Sequence, residues 1–421
     1  MVVVLSVTRG GTRCRSRCQF TTIKAVKKDV NLLDVSLAAR RRWHTTAFAL
    51  VAFWILAGIG LTIAGSLGAP VVWWDLIHPF TIGALTTAIV VYSTHFTEAL
   101  TRTPAANYRG VATRVAAIQL GLVLLLVDRA GYDWGALADA SSVLLILTLT
   151  WHAWALWQKL RGSLSGSFAL TVPFYLAAAG FMVSAIGVVL LAAHGVGNYS
   201  LLVAAHSRGM VWGFALLTIL GTVVTLLPTL TRTPISPTAR SRCTRALIVH
   251  CAGLAVAMGL EAAGLTRVAG VAQLLVVVAG VLIIQPVLAG ALAGRMSTAS
   301  MSAMAGLVWM LALCAGDAVA SAMGAYPRAV TLLLMPAFVG AGLLQLVTGV
   351  LHHMLPILAR ARRTERAGCM RLGLINVGGL ACLLGIPVVH AAGLIMMGLG
   401  LIANVAVLIW AVVSTKGEVH V

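Results

Sequence analysis

Twelve stretches of this chain are long and apolar enough to cross a bilayer, at about 20 residues per span. They fall near 46–68, 75–99, 110–128, 137–158, 167–193, 199–230, 245–263, 267–293, 301–323, 328–357, 370–390 and 391–414. In hydrocarbon the backbone must satisfy its own hydrogen bonds, so a succession of such spans admits one fold class: an all-α polytopic membrane protein with twelve transmembrane helices. Composition closes off the alternative. The residues are 60% hydrophobic and only 10% charged, whereas a soluble domain carries about a quarter charged residues. Too few charges remain to cover a water-facing surface.

The formal net charge of +19 does not point to nucleic acid, because no soluble basic face exists to present it. The basic residues instead alternate between the two ends of the spans. One side holds Arg102, Arg109, Lys159, Arg161, Arg232, Arg240, Arg242, Arg245, Arg295, the group Arg360 to Arg371, and Lys416; the other has Arg129, Arg267 and Arg328. The positive-inside rule then places both termini in the cytoplasm and the protein in the cytoplasmic membrane, with the lipid bilayer as its first partner. Residues 1–44 are basic and lack an apolar core, which reads as a disordered cytoplasmic tail ahead of a transmembrane domain over 45–415 and a short tail at 416–421. The seven cysteines form no C-x-x-C pair, so neither a disulfide framework nor a zinc site is implied.

The chain repeats itself. Span two closes on Thr101-Arg102-Thr103, span six on Leu227-Pro228-Thr229-Leu230-Thr231-Arg232, and span ten on Leu355-Pro356-Ile357-Leu358-Ala359-Arg360. Aligning the three arginines stacks Gly83 on Gly213 and on Ala341, which has a glycine on each side. The offsets are 130 and 128 residues, four spans each, so the twelve helices read as three pseudo-repeats of four.

Ionisable side chains are costly in hydrocarbon and need a reason there. The histidines collect in two tiers. His78 and His206 share a depth near the outer face, with His390 as a further candidate; His95, His352 and His353 lie toward the cytoplasm, with His152 and His250 nearby. His78 and His95 are 17 residues apart on one helix, about 25 Å, so they serve different sites. Neutral imidazole suits haem iron and copper. His78 and His206 are therefore the preferred ligands, and His95 with His353 or His352 a second set. Arg208, two positions after His206, would meet an anion such as a haem propionate. Asp317, the deepest acid, would pair with an arginine or relay protons. His44, His194, His420 and, on balance, His390 read as loop or structural residues.

With these features the chain resembles the haem–copper oxidase subunit I superfamily, and within it divergent NnrS-like proteins and the membrane proteins that accompany multicopper oxidases in actinobacteria. The resemblance covers about residues 45–415 and rests on His78, Gly83 and Arg102 in span two and His206, Gly213, Leu227, Pro228 and Arg232 in span six. It implies a haem of b type, or copper, with a periplasmic cupredoxin or multicopper oxidase as partner. It departs at three places: residues 328–345 contain no histidine, four positions beyond His206 stands Met210 where the oxidases have a tyrosine, and the oxidases' paired histidines of the seventh helix are missing, the pair His352-His353 lying at the wrong end of the tenth. A binuclear oxygen-reducing centre is thus not implied. The function expected is a haem- or copper-binding membrane protein for electron transfer or for the response to nitric oxide or copper. The alternatives are a secondary transporter or permease, and a membrane anchor for a periplasmic copper enzyme.

Overall fold

The computed structural model describes residues 37–103, 108–129, 134–163 and 169–414. Among these residues the regular structure is helical throughout. The segments are α1 (Ala38–Ser66), α2 (Trp73–Thr101), α3 (Tyr108–Asp128), α4 (Ala136–Arg161), α5 (Ala169–Ala193), α6 (Tyr199–Thr231), α7 (Pro237–Ala262), α8 (Thr266–Leu292), α9 (Thr298–Ala322), α10 (Pro327–Leu358), α11 (Gly368–Leu383) and α12 (Pro387–Val413). Eleven are long and apolar enough to span a membrane; α11, at 16 residues, is the short one. The outer helices turn large apolar side chains such as Leu147 and Ile248 outward, as lipid contact requires.

Two boundaries differ from expectation. The first helix extends back through Arg40, Arg41 and Arg42 rather than starting after residue 44, because a charged first turn can project beyond the hydrocarbon without breaking the helix. The rest of the basic tail, and the segment 416–421, lie outside the described residues. The break between the last two helices falls at 384–386, not near 390. Gly385 turns there with φ +69° and Pro387 occupies the first turn of α12. That pairing of a left-handed glycine and an N-terminal proline punctuates helices, but unbroken apolarity across it conceals the turn.

The three-unit order is visible in the backbone itself. α2, α6 and α10 form the centre: 72%, 89% and 72% of their most apolar windows are buried, against 33–44% for the other eight long helices. Each carries one π-helical stretch, at Pro79–Thr86, Gly209–Leu216 and Phe338–Leu344. In each, a large side chain of the first helix of the unit rests where a glycine side chain would be: Trp54 against Gly83, Phe181 against Gly213, Met310 against Gly342. A Cβ on Gly213 would stand 2.6 Å from that of Phe181.

Each central helix also ends on a left-handed arginine, Arg102 (φ +54°), Arg232 (φ +58°) and Arg360 (φ +54°). A left-handed non-glycine residue costs about 1–2 kcal/mol, so three at one register are not accidental. Bonds from the next residue partly offset it, with the Thr103, Thr233 and Ala361 amides donating to the carbonyls of Glu98 (3.2 Å), Pro228 (2.9 Å) and Leu355 (3.2 Å). In two units the flanking threonines also bond across the arginine, Thr101 to Thr103 at 2.9 Å and Thr231 to Thr233 at 3.0 Å. α1 begins and α12 ends at this arginine end: His44 meets His95, and the Arg362 amide donates to Ala411 O at 3.0 Å.

Candidate functional site

At the end of the bundle opposite the left-handed arginines, α2 and α6 each carry a histidine just ahead of the π-helical stretch. His78 is the last residue before Pro79–Thr86, and His206 stands three residues before Gly209–Leu216. Such stretches add a residue to one turn and are frequent at functional sites. By backbone register the counterpart of His78 is Arg208, which immediately precedes the second stretch, while His206 lies one half-turn further out.

Both imidazoles are held by main-chain carbonyls. His78 Nδ1–H donates to Trp74 O at 2.8 Å, and its ring stacks on Trp74 with centroids 3.4 Å apart. His206 Nδ1–H donates to Ala185 O of α5 at 2.9 Å. A carbonyl only accepts, so in each neutral ring the proton is on Nδ1 and Nε2 carries the lone pair. A carbonyl or carboxylate holding one nitrogen while the other faces a metal is the usual orienting arrangement of ligand histidines. The two rings border one small pocket of about 30 Å³, together with Trp134, Met182 and Met210. They also border a larger cavity of about 250 Å³ that reaches Tyr199 and Arg328. Trp134 is pinned over it by Asp139, which accepts from Trp134 Nε1 at 2.8 Å and pairs with His194 at 3.0 Å.

Arg208 faces the other way. Its guanidinium pairs with Asp317 of α9 at 3.0 Å and Glu261 of α7 at 3.2 Å, so the anions beside it come from the protein and the expected contact with a propionate is not provided for. The pairing of Asp317 with an arginine is present.

At the arginine end the histidines part company. His95 takes its ring contacts from His44 (5.8 Å) and Phe96 (5.9 Å). His353 Nε2 is buried without a hydrogen-bond partner. His352 Nε2 accepts from Arg371 Nη1 at 2.8 Å, which closes that nitrogen to a metal. His152 bonds Ser93 Oγ at 3.0 Å and His250 donates to Trp212 O at 2.8 Å; at the opposite end of the bundle, in the first turn of α12, His390 donates to Cys382 O at 3.1 Å. Among the described residues no three His, Cys, Asp or Glu side chains converge as a metal site.

Sequence reasoning named Met210 only as a departure from the oxidases, expected an arginine for Asp317 without saying which, and passed over Glu261 and Gln273 as neighbours of Arg208. Met210 had a signal, four positions after His206 and so on its helical face. Glu261, Gln273 and Asp317 had a weaker one, polar residues at similar depth on successive spans. No protein-family profile matches this chain, and neither does any curated protein.

Proposed function

We propose that this chain is a copper-binding integral membrane protein, serving electron transfer or the response to copper, with His78 and His206 as ligands. The carrying observation is that both imidazoles, each oriented by a carbonyl on Nδ1, border one pocket with the Met210 thioether. Two imidazoles and a thioether form a soft donor set that suits copper(I). A pocket of about 30 Å³ has room for an ion and a water rather than a macrocycle.

Haem fits these residues less well. The adjoining cavity, at about 250 Å³, is below the roughly 300–1,000 Å³ of pockets that take larger ligands, and Arg208 is already neutralised. For the inner pair His95 and His353 the support is weaker, since among the described residues neither ring has a main-chain carbonyl contact like those that orient His78 and His206. The bound ion would supply one-electron exchange. The chain's own contribution is orientation by the Trp74 and Ala185 carbonyls and exclusion of bulk water by Trp74 and Trp134. With the basic connectors in the cytoplasm, the cavity opens outward, where a periplasmic cupredoxin or multicopper oxidase would meet it. The three-unit order also supports a haem–copper-oxidase-like scaffold. A secondary transporter is the second reading, favoured by the buried Arg208–Asp317–Glu261 group; three equivalent units, instead of a two-fold inverted pair, argue against it.

Metal analysis and visible spectroscopy of the purified protein, loaded with copper(I) under reducing conditions, test the reading. One copper per chain is expected, lost in His78→Ala and in His206→Ala and weakened in Met210→Leu. Copper retained by both histidine variants, or none bound by the wild type, defeats it. A Soret band abolished by the same variants would put haem between the two rings instead.

A further inference from the structure

Four helices bring polar side chains to one buried point beside the histidine cavity. Arg208 on α6 donates to Asp317 of α9 from Nε at 3.2 Å and from Nη2 at 3.0 Å. Trp212 Nε1 and Gln273 Nε2 each add a 2.8 Å bond to Asp317 Oδ2. Asp317 thus accepts four bonds, the surroundings of an ionised carboxylate matched to a guanidinium. Glu261 on α7 is different. Its Oε1 accepts from Thr266 Oγ1 at 3.1 Å, but Oε2, although 3.2 Å from Arg208 Nη1, is buried without a hydrogen bond. Gln273, fully buried in the same cluster, has an Oε1 with no donor.

The charges do not balance: two carboxyl groups face one guanidinium. Asp317 takes the better-bonded side of the guanidinium, so with both acids ionised the cluster, in which Glu261 has no exposed surface at all, carries one negative charge in excess. A buried carboxylate in excess of its cations takes a proton instead. The other titratable groups on the packed elements have surroundings of their own, and Arg328 of α10 borders the cavity of about 250 Å³. His206 on α6 is held by the Ala185 carbonyl, His250 lower on α7 by the Trp212 carbonyl, and Arg267 at the head of α8 lies against Gly324.

We propose that Glu261 holds a resident, exchangeable proton, which makes this cluster a proton-binding site next to the histidine cavity. Arg208, 3.2 Å from Glu261, and Asp317 line a pocket of about 30 Å³ that shares Ser207, Val211, Thr331 and Met335 with the cavity of about 250 Å³. On release the proton passes to water in that cavity and the carboxylate is left against Arg208. A cation gained in the cavity repels the proton, so the cluster offsets charge arriving at the histidines. That consequence, unlike the proton itself, rests on the metal reading.

Infrared spectra of the full-length protein in lipid nanodiscs, in H2O and D2O at neutral pH without added metal, test the proposal. The wild type shows the C=O stretch of a protonated carboxylic acid, shifted down in D2O, and Glu261→Gln lacks it. Because the amide replaces a neutral acid, Glu261→Gln melts within a few degrees of wild type, while Asp317→Asn, which strands Arg208, is strongly destabilised. No acid band in the wild type, a band that survives in Glu261→Gln, or a Glu261→Gln protein as unstable as Asp317→Asn overturns it.

Discussion

Arg208 and Arg371 are 3% and 1% exposed, yet their surroundings have little in common. Arg208 lies ten residues into α6, about 14 Å from its start at helical rise, and two carboxyl groups surround it. Arg371 lies in the first turn of α11, about 5 Å from its start, and its Nη1 meets only neutral acceptors, His352 Nε2 at 2.8 Å and Asn404 Oδ1 at 2.6 Å. Its Nε and Nη2 are buried without partners. Depth accounts for the contrast. A guanidinium well inside the bundle needs countercharge from the protein, whereas one near a helix end is close enough to the interface for neutral dipoles to suffice.

The largest effect should separate the two sites directly. Arg208→Met leaves the Asp317 carboxylate buried and uncompensated, and should cost about 3–5 kcal/mol. Arg371→Met strands no anion and should cost about 1–2 kcal/mol, the worth of its hydrogen bonds to neutral groups. Thermal or denaturant unfolding in detergent reads both, and equal losses would break the comparison. A smaller effect sharpens it. Asn404→Asp gives Arg371 the acid that Arg208 already has, and should stabilise by about 1 kcal/mol as a neutral hydrogen bond becomes charge-assisted; a loss would mean that Arg371 is already neutralised. The smallest concerns an arginine at the surface. Arg232 is exposed in a left-handed conformation, so Arg232→Gly should raise stability by up to about 1 kcal/mol while Arg232→Ala does not.

The repeat was legible because its signature is local. The arginines aligned in sequence, Arg102, Arg232 and Arg360, share the left-handed conformation at the ends of the three central helices. Gly83 and Gly213, stacked by the same alignment, each receive a bulky residue from the helix that opens their unit. The π-helical stretches were not legible. Pro79–Thr86 and Gly209–Leu216 share only the glycine at their fifth position, Gly83 and Gly213, and one extra residue in a turn leaves hydropathy unchanged while rotating everything beyond it by about 100°. Depth along the helix could be read for His95 and His353; facing could not: His95 meets His44 and Phe96, and His353 Nε2 is buried without a hydrogen-bond partner.

By itself the sequence determined that the chain is a membrane-spanning helical bundle, that it has three related units, and where its basic ends lie. Those follow from runs of apolar residues and from arginine spacing, quantities summed along the chain. Tertiary structure alone decided that His78 and His206 border one pocket, that Arg208 belongs to Asp317 and Glu261, and that Arg371 is held by His352 and Asn404. The reason is directional: a partner is chosen by where a side chain points on a helix, and that angle depends on local winding and on the helix packed against it.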